Sequence, residues 1–164
     1  MKNIIYIFIF YSTLISGCYS FTGASISPDT KTISIRQFPN VASLVNPRLS
    51  QLLTDALRDK FISQTSLNVV KENADLLLSG SIIDYSIKPM AIQGNETAAL
   101  NRLTININIS FQNRKNEKQN FDTNFSRYRD YQSNLNFASV EDQLLKEIID
   151  ELVDDIFNKS VVNW

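Results

Sequence analysis

Leu103-Thr104-Ile105-Asn106-Ile107-Asn108-Ile109-Ser110-Phe111-Gln112 alternates five large apolar residues with five polar ones. Successive side chains of a strand point to opposite faces, so this segment predicts an antiparallel strand with one face on a core and the other in water. Downstream, Asn113–Asn120 is polar and reads as a turn, and Phe121–Tyr131 returns as a second strand, which makes a long hairpin. Upstream, Ala74–Lys88 is a further strand that Pro89 is expected to end, and residues 89–99 carry no consistent period and read as a mobile loop.

Further out, Thr30–Phe38 sets Ile33 and Ile35 between Thr32, Ser34 and Arg36, a half-buried strand. Asn46-Pro47 offers an N-cap and a first-turn proline, and Leu49, Leu52, Leu53, Ala56, Leu57 and Phe61 then form one apolar stripe on a helix over 47–64. Leu67–Val70 is a short strand candidate. Ser139 with Asp142 resembles a capping box, and Leu144, Leu145, Ile148, Ile149, Leu152, Val153, Ile156 and Phe157 mark a helix to about Lys159. One-sided strands and two amphipathic helices give a two-layer α+β domain with both helices on one sheet face.

Composition narrows the chemistry. The 164 residues include 16 Lys+Arg against 17 Asp+Glu, one cysteine and no histidine. A Ser-His-Asp triad, an HExxH site and a His-containing zinc site are therefore excluded, as are an intramolecular disulfide and a Cys-rich metal cluster. A formal charge of -1 lacks the basic surplus of a nucleic-acid binder.

Residues 1–17 pair the single cation Lys2 with the apolar run Ile4–Ile15, 12 residues long. As a helix that run reaches only ~18 Å, short of a ~30 Å hydrocarbon layer, and reads as a signal peptide and not as a permanent span. Ile15-Ser16-Gly17-Cys18 resembles the bacterial lipobox. The expectation is that Cys18 becomes the mature N-terminus carrying a diacylglycerol and an N-acyl chain, followed by a lipidated leader over 18–29 and a single domain over 30–164. Three acyl chains, at about 0.8 kcal/mol per buried methylene, would anchor the chain without a transmembrane helix. Tyr19 follows Cys18 where a retention signal would place Asp, so the expected address is the outer membrane, facing the periplasm.

Other residues carry weaker signals. Glu141, Asp142, Glu147, Asp150, Glu151, Asp154 and Asp155 on the last helix read as a solvated face, with nothing apolar around them to raise a pKa for acid–base work. Arg114, Lys115 and Lys118 in the hairpin turn are candidate contacts for an anionic glycolipid head group, with Arg127 and Arg129 on the returning strand as additions; a plain solvated turn is the alternative.

Taken together, Cys18-Tyr19-Ser20-Phe21-Thr22-Gly23-Ala24-Ser25-Ile26, Gln64-Thr65-Ser66-Leu67, Asn101-Arg102-Leu103-Thr104-Ile105, Asp155-Ile156-Phe157-Asn158 and the final Asn163-Trp164 resemble the lipopolysaccharide-assembly lipoprotein family, LptE, in its Bacteroidetes-type form. The resemblance spans essentially the whole mature chain. It implies a mostly antiparallel four-stranded sheet in the order strand-helix-strand-strand-strand-helix, with Leu67–Val70 as an addition or a bulged start of the second strand. It also implies a non-enzymatic role: a plug in the lumen of the outer-membrane β-barrel LptD that assists the barrel's assembly and lipopolysaccharide transport, without a cofactor. A different periplasmic auxiliary lipoprotein, such as a cell-wall synthase activator or a transporter accessory subunit, could share this small architecture. An enzyme would instead need a deep pocket with converging polar groups and perturbed acids.

Overall fold

In the computed structural model, residues 26–90 and 100–162 are described. The signal segment, Cys18, most of the leader, residues 91–99 of the expected loop and the final Asn163-Trp164 lie outside them. The elements among these residues are β1 (Thr32–Ile35), α1 (Leu49–Gln64), β2 (Asn68–Val69), β3 (Leu76–Met90), β4 (Leu100–Asn113), β5 (Phe121–Gln132) and α2 (Phe137–Val161), with a 3-10 turn at Glu117–Gln119. The fold is α+β, and both helices cover one face of a mixed sheet ordered β2-β1-β3-β4-β5. β3, β4 and β5 form an antiparallel meander, while β1 runs parallel to both β2 and β3. Asn68–Val69 is thus a fifth strand in its own right, paired to β1 at the sheet edge, and not a bulged start of β3.

β4 lies at the centre of the meander, and its alternation is realised residue by residue. Leu103, Ile105, Ile107, Ile109 and Phe111 are each at most 1% exposed, whereas their polar neighbours line the uncovered face. The partner strand changes phase midway. Leu76, Leu78 and Ile82 face the core from even positions, then Tyr85 and Ile87 do so from odd ones. A bulge between Ile82 and Asp84 absorbs the extra residue and leaves Ile83 39% exposed.

Gly80 sits on the core face opposite Ile109. A Cβ there would overlap the Asn108 carbonyl oxygen and lie 3.0 Å from Cε1 of Phe38. The missing side chain therefore lets the Phe38 ring lie directly on the sheet. Phe38 is also fixed from the helix side: its N–H donates to Thr54 Oγ1 at 3.3 Å, and Ser50 Oγ donates to its carbonyl at 2.5 Å.

Three boundaries differ from the sequence expectation. Pro89 does not end β3, which runs to Met90 with Pro89 opposite Asn101. From Asp84 onward β3 is paired with β4 alone, and a strand with an open side tolerates a proline. The cap of α2 is Asn136, whose Oδ1 accepts from Ala138 N at 3.1 Å; the Ser139 hydroxyl instead donates to the Asn136 carbonyl, so no capping box forms. At α1, Asn46 does cap, its Oδ1 accepting from Arg48 N at 2.8 Å and Leu49 N at 3.2 Å, but the first helical residue is Leu49 and not Pro47.

The helices meet through Phe61 and Phe157, edge to face at 5.1 Å. They are also tied near their N-terminal ends. Glu141 Oε1 accepts from Asn46 Nδ2 at 2.7 Å and from the Tyr85 hydroxyl at 2.6 Å, joining the start of α1, the first turns of α2 and β3. Burial, then donation to Glu141, pushes the Tyr85 phenol well above its usual range and keeps it neutral.

Replacing Gly80 with alanine forces the Asn108 carbonyl to move, with the Phe38 ring also crowded. We expect a loss of about 2–3 kcal/mol in urea unfolding at unchanged m-value; a midpoint equal to the parent's would show that the sheet does not need the close approach.

Candidate interaction surfaces

Three regions display polar chemistry. On the uncovered sheet face, side chains bond to one another across strands. Arg102 makes a two-pronged pair with Asp130 at 2.7 and 2.8 Å, and its guanidinium lies 3.7 Å from the centre of the Tyr128 ring. Asn108 Nδ2 donates to Asp122 and Asn124, each at 2.9 Å, while Asp84 accepts from Ser86 and Asn106. The result is a polar face whose groups largely satisfy one another.

The second region lies between β5 and α2. Odd-numbered residues of β5 face the helix layer, so Arg127 and Arg129 follow Phe121 and Phe125 on that side. Glu147, Glu151 and Asp155 follow one another at four-residue steps on α2 and meet them. Arg129 bonds Glu147 at 2.8 Å and Glu151 at 2.5 Å; Arg127 bonds Asp155 at 2.7 and 2.8 Å. These contacts hold Glu147 and Glu151 below the usual carboxylate range, through bonds from Gln143 and then Arg129 for the first and from Arg129 for the second. Both arginines are pushed up in turn by their carboxylate partners. What reads in the sequence as one solvated acidic face is therefore two rows: this ladder, and outward acids such as Asp150 and Asp154 that pair with Lys146 and Lys60.

The third region is the β4–β5 turn. Asn113 organises it, accepting from Lys115 N at 2.8 Å and Asn116 N at 3.1 Å. Lys115 reaches Asp75 at 3.5 Å, and Asp75 also accepts from the backbone of Lys31 and Thr32, which holds its carboxyl below the usual range. Arg114 and Lys118 are exposed and have no carboxylate partner among the described residues. The five cations singled out in the sequence thus fall into two groups, Arg114, Lys115 and Lys118 at one end of the sheet and Arg127 and Arg129 beneath α2. The sequence reading missed the Arg102, Tyr128 and Asp130 cluster, although the register of a hairpin turning at 113–120 places all three on one face.

Among the described residues, no enclosed pocket gathers polar groups in the way a catalytic centre would. The depressions between α1 and α2 and beside β1 have volumes of about 300 and 240 Å³ and open to solvent. Among the described residues, no group of acids could hold a metal ion, and no helix is long and apolar enough to cross a membrane. This is an α+β domain with two helices on one face of a five-stranded mixed sheet. The LptE family, described as lipopolysaccharide-assembly, matches residues 30–160, and the chain belongs to that family. The family is non-enzymatic, and membership gives the chain a role in lipopolysaccharide assembly. No curated protein matches the chain. Among solved structures, a neuraminyllactose-binding hemagglutinin homologue of Helicobacter pylori is 9% identical with a TM-score of 0.57, covering 86% of this chain and 88% of that one. A hypothetical protein of Chlamydia trachomatis is 7% identical with a TM-score of 0.54, covering 82% and 99%. Both share the fold alone. The rare lipoprotein B of Shewanella oneidensis is 17% identical with a TM-score of 0.48, covering 74% and 90%.

The ladder predicts a pH dependence. Glu147 and Glu151 have folded pKa values below their unfolded ones, so their contribution is full above the ordinary carboxylate range and is lost as pH falls through it. Thermal melts should show a Tm that falls once pH drops below about 4.5. In Arg129→Gln the fall should be shallower and the neutral-pH Tm lower; an identical profile for both proteins would remove the ladder from the stability of the fold.

Proposed function

We propose that the chain is an outer-membrane lipoprotein, acylated at Cys18, that occupies the lumen of an LptD-type β-barrel, assists that barrel's assembly and takes part in moving lipopolysaccharide through it. The observation that carries this reading is the match of the LptE family over residues 30–160, essentially the whole described domain. The surfaces are compatible with it. Lumens of such barrels are polar and wet, and suit a sheet face whose side chains mostly bond one another, the buried Asn106 Oδ1 excepted. Of the five candidate cations, Arg114 and Lys118 keep their charge free of carboxylates and are the ones available to a lipopolysaccharide head group, whereas Arg127 and Arg129 hold α2 on the sheet.

A tagged full-length chain purified from gently solubilised membranes should bring down an LptD-type outer-membrane barrel in stable stoichiometry. Recovery of a cell-wall synthase or a transporter in its place would overturn the assignment. Cys18→Ala should accumulate as unprocessed precursor that takes up no radiolabelled palmitate; incorporation equal to the parent's would disprove acylation at that position.

A further inference from the structure

The chain has seven arginines. Five of them, Arg48, Arg58, Arg102, Arg127 and Arg129, pair with carboxylates. The other two, Arg36 and Arg114, line one and the same pocket of about 240 Å³, and Lys71, which also has no ion pair among the described residues, completes the group. Three unpaired cations converging from β1's end, the β2–β3 connection and the β4–β5 turn, against the single anion Glu72, form a cationic recess on a chain whose net charge is -1.

The backbone around each cation is fixed by a long-range bond. Arg36 N donates to the Leu78 carbonyl at 3.0 Å, and Arg114 N donates to the Asp75 carbonyl at 3.0 Å. The Lys71 carbonyl accepts from Ser34 Oγ at 2.9 Å. Asn73, at φ 56, turns the chain between Lys71 and β3; asparagine tolerates this left-handed conformation better than most residues. The recess is therefore preorganised at its backbone, and the side chains supply the fork and point-charge donors that suit phosphate oxygens.

Its position says where the phosphate comes from. Ile26 lies with Leu76, Phe111 and Val161 in a cleft on the helix side of the same end of the sheet, the recess being on the opposite face. Eight residue steps from Cys18 to Ile26 span at most about 28 Å, so the acylation proposed for Cys18 would keep this end within that distance of the bilayer. We propose that Arg36, Lys71 and Arg114 form a binding site for the phosphate of an anionic phospholipid headgroup, a ligand distinct from lipopolysaccharide. The site turns the anchored end of the domain toward the leaflet. The location of the membrane rests on Cys18, but the chemistry of the recess does not.

The test uses the full mature chain with Cys18→Ser, so that attachment reports the recess and not the acyl chains. It is floated with phosphatidylcholine vesicles with and without about 20 mol % phosphatidylglycerol, near physiological salt. Binding should require the anionic lipid and weaken at least about tenfold in Arg36→Gln/Lys71→Gln/Arg114→Gln, all three being exposed positions. Arg48→Gln/Lys88→Gln/Lys146→Gln removes the same charge elsewhere and should stay within about twofold of the parent. Equal loss in both variants, or none in the first, overturns the site. A shift of the pocket guanidinium NMR signals with inorganic phosphate but no flotation would make free phosphate the ligand and overturn the lipid headgroup. The barrel pull-down can fail while flotation succeeds, and the reverse, so the two readings fall separately.

Discussion

A sheet that is apolar on one face only must be covered on that face and left open on the other. Every larger feature of this domain answers to that condition. β4 sets it, with five side chains at most 1% exposed on one side and amides and hydroxyls on the other. Both helices then lie on the same side, and the stripes that pack there account for most of the core. The loss of water from these side chains is worth roughly 1.5–3 kcal/mol each when burial is complete. No single polar contact in the structure approaches the sum of such terms.

The polar contacts decide other things. Glu141 accepts from Asn46 and Tyr85 together, so the two helices and β3 have one relative placement and not several that would bury similar area. The ladder from Arg127 and Arg129 to Glu147, Glu151 and Asp155 performs the same service along the β5 edge. Charged residues on β5 also keep the unpaired edge of the sheet from recruiting another strand.

How much of this was legible in the sequence depends on the range over which each residue's partners lie. The period of β4 and the stripes of the two helices are local patterns, and they carried the architecture. The bulge at Ile83 is also local, visible as a change from even to odd apolar positions between Ile82 and Tyr85. Arg127 and Arg129 read as free because their alternation with Phe121 and Phe125 was not followed through; the same phase that buries those rings turns the guanidinium groups toward α2. The recess of Arg36, Lys71 and Arg114 had no local signal at all. Its members stand far apart in the chain and meet only because β1 lies beside β3 and the β4–β5 turn lies at the same end.

The parallel pairing of β1 has a consequence for how the chain becomes a protein. β1 ends at Ile35, but the strand it must join begins at Leu76, and that strand is held in turn by β4 and β5. Synthesis proceeds from the N terminus, so the first strand made has no sheet to enter until some forty residues later have emerged, and no finished core until α2 closes over it. The meander of β3, β4 and β5 joins neighbours in the chain and can form early, whereas closing the long loop back to β1 is the entropically slow step. The part of the domain nearest the proposed lipid anchor is thus the part that depends on the rest having been made.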